Sequence, residues 1–209
     1  MKKKLILFII ASKFKQIDKL HFNLQEYEKE LKFDVLVHEV IDYVHPGFSK
    51  SWMNKVQDRR VQSFKSYQTW EKKILQIKKK YGISNILIIN EVKISNFKTI
   101  KVSLLIKKNS FKTLKFLRTE PFDQSYKFNY YFLLNMNIKK ILLFLEKRIF
   151  NYIGSKLKLF PKYIVSNGKI DAGLNVLKNS TVIHGNSRDY NMHLSFLKKK
   201  KKKKKQTKY

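Results

Sequence analysis

The sequence predicts an α/β domain, a Rossmann-like, doubly wound parallel sheet. Three observations predict it. Apolar runs alternate with segments whose apolar residues recur at helical spacing, and the order strand then helix repeats about five times. The runs are continuous, as in strands covered on both faces, rather than alternating polar and apolar. Their separation suits parallel crossovers and is too long for hairpins.

Leu5–Ile10 is the first buried strand. With Lys2, Lys3 and Lys4 before it, it imitates a signal peptide. Its apolar run is at the short limit for one, and no small-residue cleavage site follows. Ile17, Leu20, Leu24, Tyr27 and Leu31 then recur at helical spacing with Glu26, Glu28, Lys29 and Glu30 between them, which predicts one amphipathic helix. Val35–Val40 is the second strand, and Pro46-Gly47 marks a loop from His45 to Ser51. A long helix is expected next, with Phe64, Tyr67, Trp70, Ile74 and Ile77 on one side, ending near Tyr81-Gly82, where glycine suits a helix C-terminus. Ile83 to Asn90 reads as a strand centred on Ile86–Ile89. Phe97, Ile100 and Leu104 predict a helix, while Val102 and Ile106 also fit alternation. Thr113–Arg118 is a strand and Pro121 to Asn135 an aromatic-rich loop. Ile138, Ile141, Leu142, Leu145, Ile149 and Tyr152 predict an amphipathic helix ending near Gly154. Tyr163–Val165, a short helix over Ile170 to Leu177, and Val182–His184 complete the pattern. The domain is expected over residues 1–197. Residues 198–209 read as a disordered polylysine tail, because like charges repel and no apolar group offsets the entropy of ordering.

A chain of 209 residues with 43% hydrophobic content can bury one real core. Cysteine is absent, which excludes disulfides and thiolate metal sites and suits a reducing cytosol. No apolar stretch approaches the roughly 20 residues that span a bilayer. The formal net charge is +31; Lys198–Lys205 and Lys208 contribute nine of it and leave +22 on the rest. Such charge favours contact with nucleic acid or an anionic membrane. Yet only Arg59, Arg60, Arg118, Arg148 and Arg188 are arginines, the residues that fork onto phosphate and guanine. Lys, Asn, Ile, Phe and Tyr share A/T-rich codons, so a biased genome accounts for this composition, and the lysines are scattered rather than clustered. Compositional bias is the favoured reading.

In a doubly wound sheet, ligands bind beyond the carboxyl ends of the strands, where strand order reverses. The first such end is Ala11-Ser12-Lys13. Ser12 suits either plain capping of the next helix, the favoured reading, or an anion held at its N-terminus. Neither Gly-x-Gly-x-x-Gly nor a Walker sequence is present, so the sequence offers no support for nicotinamide or P-loop chemistry. His21, His38, His45, His184 and His193 lack metal-ligand spacing. His38 reads as a satisfied core or edge histidine. His45 stands in a strand-end loop, where a few residues line clefts and most do not. Asp34, Glu39, Asp42 and Glu91 are candidate acids or bases, each better read as surface charge.

The most informative stretch runs from Pro161 to Leu194. Pro161-Lys162-Tyr163-Ile164-Val165-Ser166-Asn167-Gly168 is a strand entering a glycine turn. A second strand ends at His184 and opens into Gly185-Asn186-Ser187-Arg188-Asp189-Tyr190-Asn191. Small polar residues with an Asp-Tyr pair suit a cleft-lining loop; an ordinary turn capping a short helix uses the same residues. The segment resembles the end of the N-terminal half of glycosyltransferase-like proteins of bacterial surface-polysaccharide (capsule and O-antigen) biosynthesis. Ser187, Asp189 and Tyr190 match, and the opening strand with its Ser12-Lys13-Phe14 continuation also fits. Asn191 departs from the aspartate common there.

That resemblance implies an acceptor-side half, with Ser12, Lys13, Ser187, Asp189 and Tyr190 as substrate-binding candidates. The acceptor would be a polysaccharide or lipid-linked sugar, in the cytoplasm at the inner face of the membrane. It further implies a second α/β domain holding most of the sugar-nucleotide site, so this half would be inactive alone. The lysine run begins where the likeness ends, and a frame slip in an adenine tract would account for both. Two other readings stand beside this one. One is a non-enzymatic basic protein held to nucleic acid or anionic lipid by its lysines. The other is a small intact α/β enzyme with a site near Ser12 and Asp189.

Overall fold

The computed structural model describes residues 3–47, 56–116, 138–166 and 180–184. Seven strands form one parallel sheet: β1 (Leu5–Ile10), β2 (Asp34–Glu39), β3 (Val61–Ser63), β4 (Ile86–Asn90), β5 (Lys112–Phe116), β6 (Tyr163–Ser166) and β7 (Thr181–His184). Their order is β3-β2-β1-β4-β5-β6-β7. The chain builds outward from β1 to β3, then returns to β4 on the other side of β1, giving the Rossmann-like arrangement that the alternating pattern predicts.

The central strand explains the two-sided core. Every residue of β1 is buried. Leu5, Leu7 and Ile9 pack with Trp70, Ile74 and Ile77 of α4 (Tyr67–Tyr81) and Val102, Leu105 and Ile106 of α5 (Phe97–Lys108). Ile6, Phe8 and Ile10 turn to the other face, against Phe14, Phe22 and Leu24. Alternation of side chains along a strand thus makes a continuous apolar run serve two helical layers. Each such buried side chain contributes roughly 1.5–3 kcal/mol.

The single helix expected from Ile17 to Leu31 is two, α1 (Gln16–His21) and α2 (Leu24–Lys29), broken at Asn23, whose φ is 49°. Asn tolerates this left-handed conformation better than most residues. The break turns both Phe22 and Leu24 into the core; Phe22 lies 4.7 Å from Phe8 and 6.3 Å from Phe14 between ring centroids. Ile17, Leu20 and Leu31, expected to face inward, are about half exposed.

Phe64 does not belong to α4. It follows β3, an edge strand whose three residues carry too little apolar pattern to be legible. Ion pairs pin this edge: Arg60 donates from Nε and Nη2 to Asp58 (2.8 and 2.6 Å) and from Nη1 to Glu28 (3.1 Å), while Lys19 stands 3.2 Å from Asp58. Helix α4 starts at Tyr67, where the Ser66 hydroxyl accepts from the Thr69 N–H at 3.3 Å. It ends at Gly82, as the sequence predicts, and Ile83–Asn85 is a short 3₁₀ turn before β4 rather than part of the strand. Helix α5 resolves the ambiguity of its pattern, but Val102, Leu105 and Ile106 face the core while Phe97 and Leu104 face solvent.

A short helix α3 (Ile41–Val44) follows β2, and α6 (Ile138–Lys156) precedes β6. Helix α6 runs past Gly154, where a Cβ would stand 2.8 Å from Ile94 Cδ1, so glycine permits this close approach. Phe150 of α6, Ile100 of α5 and Leu159 form a third, smaller apolar cluster. The expected loop over Pro121 to Asn135, the helix over Ile170 to Leu177 and the lysine tail lie outside the described residues.

Candidate functional site

A parallel sheet brings all its carboxyl ends to one edge. At that edge β1 continues into Ala11-Ser12-Lys13, β2 into α3, β3 into Phe64, and β4 into Glu91-Val92-Lys93. The reversal of strand order falls between β1 and β4, where the Glu91 N–H donates to the Ile9 carbonyl at 2.9 Å.

Beside this reversal lies a buried charged cluster. The Lys13 ammonium is 2.7 Å from Asp42 Oδ2 and 3.4 Å from Glu39 Oε2. Glu39 Oε1 accepts from the Phe14 N–H at 2.6 Å, and its Oε2 accepts from the Ser63 hydroxyl. The local sequence dictates the placement. Ile41, Tyr43 and Val44 of α3 are buried, which leaves Asp42 to face Lys13. Glu39 ends β2 on the face opposite His38, as strand alternation requires. Burial disfavours the Lys13 ammonium, but the bond to Asp42 and the charge of Glu39 outweigh it and raise its pKa.

The surface-charge reading of Glu39 is therefore corrected, since the residue is 5% exposed. The carboxylate belongs inside because its partners arrive from the strands on either side of β2: Lys13 and Phe14 after β1, and Ser63 in β3. Ser12 does not cap α1, whose N-cap is Lys15; the Lys15 N–H donates to Asp18 Oδ2 at 2.7 Å. Ser12 instead lies partly exposed in the turn leaving β1. Lys13 has its ammonium committed to two carboxylates, so it ties this turn to β2 and α3.

Across the reversal, burial pushes the Lys115 ammonium below its ordinary range, with Glu91 opposing the shift and Lys93 adding to it. Ser12, Glu91, Lys93 and Lys115 thus supply a hydroxyl, a carboxylate and two amines along one edge, suited to hydroxyl-rich or anionic ligands. Among the described residues no group of three or more His, Cys, Asp or Glu could hold a metal ion.

Ser187, Asp189 and Tyr190 lie outside the described residues; the described chain ends at His184 of β7, at the same carboxyl edge. The sequence reading missed Ser63 because β3 itself was missed. It missed Lys115 because a lysine in an apolar strand looks like an outward-facing residue until its neighbours are known. Glu39 carried a usable signal, an acid just before the carboxyl end of the run Val35–Val40. Comparison of the chain with family models, curated proteins and solved structures gives no match.

Proposed function

We propose that this chain is a glycosyltransferase-like domain of surface-polysaccharide biosynthesis, and that it holds the sugar acceptor at the carboxyl edge of its sheet. One observation supports this above others. All seven strands are parallel, so the turn after β1 and the chain leaving β7, the two stretches that carry the resemblance, emerge at one edge. The Lys13–Glu39–Asp42 cluster holds the first of these turns rigid, and a preorganised turn loses little entropy when Ser12 meets a hydroxyl-rich ligand. The sugar-nucleotide donor would belong to a second domain, so the chain alone binds an acceptor without transferring to it; bringing two reactants together supplies a large share of such catalysis.

The test titrates the purified chain with soluble analogues of lipid-linked oligosaccharides, by calorimetry or NMR, and assays it against sugar nucleotides. Saccharide binding that weakens in Ser12→Ala and Asp189→Ala, with no transfer, is expected. Absence of saccharide binding would sink the reading. Turnover of a sugar nucleotide by the chain alone, abolished by Asp189→Ala, would make it a complete small enzyme instead.

A further inference from the structure

Helix α6 packs Phe150 inward but leaves a second apolar stripe in solvent. Leu142, Leu145, Ile149 and Tyr152 are 47–64% exposed. Their spacing places them on one side of the helix, away from the Asn151 position. On α5, Phe97 is also exposed, and it meets Phe150 edge to face at 5.1 Å between centroids. Among the described side chains the charge on these two helices is one-sided: Arg148 and Lys156 of α6 and Lys98, Lys101, Lys107 and Lys108 of α5 stand against the single acid Glu146. At the end of the stripe the Lys156 ammonium lies 5.5 Å from the Tyr152 ring centroid.

We infer that the exposed stripe of α6 is a docking face for an anionic phospholipid bilayer, on which the helix lies in the interfacial plane. Aliphatic side chains bordered by Arg148 and Lys156 match the acyl boundary and headgroups of an anionic leaflet together, since apolar area and basic charge add in interfacial binding. No helix of the described residues is long and apolar enough to cross a membrane, so the face can rest on a bilayer but not span it. A second copy of the chain is a poor occupant, because it would bring +31 against +31. Nucleic acid fits the charge but not the stripe, which is mostly leucine and isoleucine, whereas bases stack on aromatic rings.

The experiment uses the full chain and vesicles of phosphatidylcholine with or without phosphatidylglycerol. The parent and the triple variant Leu145→Ser/Ile149→Ser/Tyr152→Ser are compared by co-sedimentation; both keep the lysine tail, so the difference reports the helix. A loss of at least about tenfold in partitioning onto the anionic vesicles is expected from removing this apolar area, with affinity for single-stranded RNA unchanged. Because the chain has no cysteine, Tyr152→Cys and Asn151→Cys can each carry one environment-sensitive fluorophore. On anionic vesicles the label at 152 should shift to the blue and the label at 151 should not. Equal partitioning of parent and triple variant, equal responses of the two labels, or an equal loss of RNA binding would each overturn the inference.

Discussion

The Lys13 ammonium lies 2.7 Å from the partly buried Asp42 carboxylate and 3.4 Å from the buried Glu39 carboxylate. One cation therefore serves two anions. Lys13→Met should leave Glu39 and Asp42 without that cation and cost about 3–5 kcal/mol, as breaking a buried pair does. Asp42→Asn should cost less, because Lys13 keeps Glu39. Urea unfolding of the three proteins checks the order, and a loss below about 1 kcal/mol for Lys13→Met would show that the cluster is hydrated.

At the opposite, amino end of the sheet, the Tyr81 hydroxyl donates to Asp34 Oδ2 at 2.8 Å. Burial first, and then this bond to a carboxylate, push its pKa up to about 12 from 10.0. The folded pKa exceeds the unfolded one, so the unfolded chain loses its proton first as pH rises. The contribution is full below pH 10 and is lost as pH climbs to 12, a change of roughly 2–3 kcal/mol. Lys13 has a raised pKa and acts with the same sign above its ordinary range. Tyr81→Phe should therefore flatten part of the alkaline limb, read from melting temperatures between pH 9 and 12, and an unchanged limb would assign it to lysines.

The parallel sheet was legible because β1, β2 and β4 are apolar runs whose neighbours repeat at helical spacing. The lesser features depended on pairing that composition does not show. Val61–Ser63 becomes a strand only through its register with Val37–Glu39, and Arg60 anchors it through Asp58 and Glu28. Asn23 breaks a pattern that looks like one helix, and the break brings Phe22 against Phe8, a contact that spacing along the chain does not show. The candidate site was half legible. Strand-end logic marked Ser12 and Lys13, but the residues that restrain them, Glu39, Asp42 and Ser63, converge only through the order of β1, β2 and β3.

Gly82 ends α4 with φ 78° and ψ 144°, a region open to glycine and strained for any residue with a Cβ. Its N–H still closes the helix onto the Lys78 carbonyl at 2.9 Å. The space around it is open, the nearest atom to an added Cβ being Asn85 Nδ2 at 3.9 Å, so the cost of Gly82→Ala is conformational rather than steric crowding. A destabilisation of about 1–3 kcal/mol is expected in chemical denaturation. A neutral substitution would mean that the turn relaxes to negative φ.

His38 is a histidine inside the core. Its imidazole is fully buried on β2, 4.8 Å from the Phe64 ring between centroids, and neither ring nitrogen has a hydrogen-bond partner among the described residues. The expectation of a satisfied core histidine thus holds for its burial and fails for its bonding. Burial, and secondarily the charge of Lys73, push its pKa down to about 3 from 6.5. Here the unfolded chain takes up the proton first as pH falls. Stability is full above pH 6.5 and should drop by about 1.4 kcal/mol per unit below it, for a total of roughly 5 kcal/mol by pH 3. Asp58, held well below the usual carboxylate range chiefly by its bond to Arg60, adds acid sensitivity only below its ordinary value of 3.8. Between pH 6.5 and 4 the shift of His38 therefore acts while that of Asp58 does not. His38→Leu, close in volume and with no polar atom to leave unsatisfied, should stabilise the protein by about 1–3 kcal/mol at pH 7. It should remove the slope between pH 6.5 and 4. Denaturant unfolding at a series of pH values measures both. If His38→Leu retained the parent slope, the proton would be entering elsewhere and the imidazole would not be the acid-sensitive group.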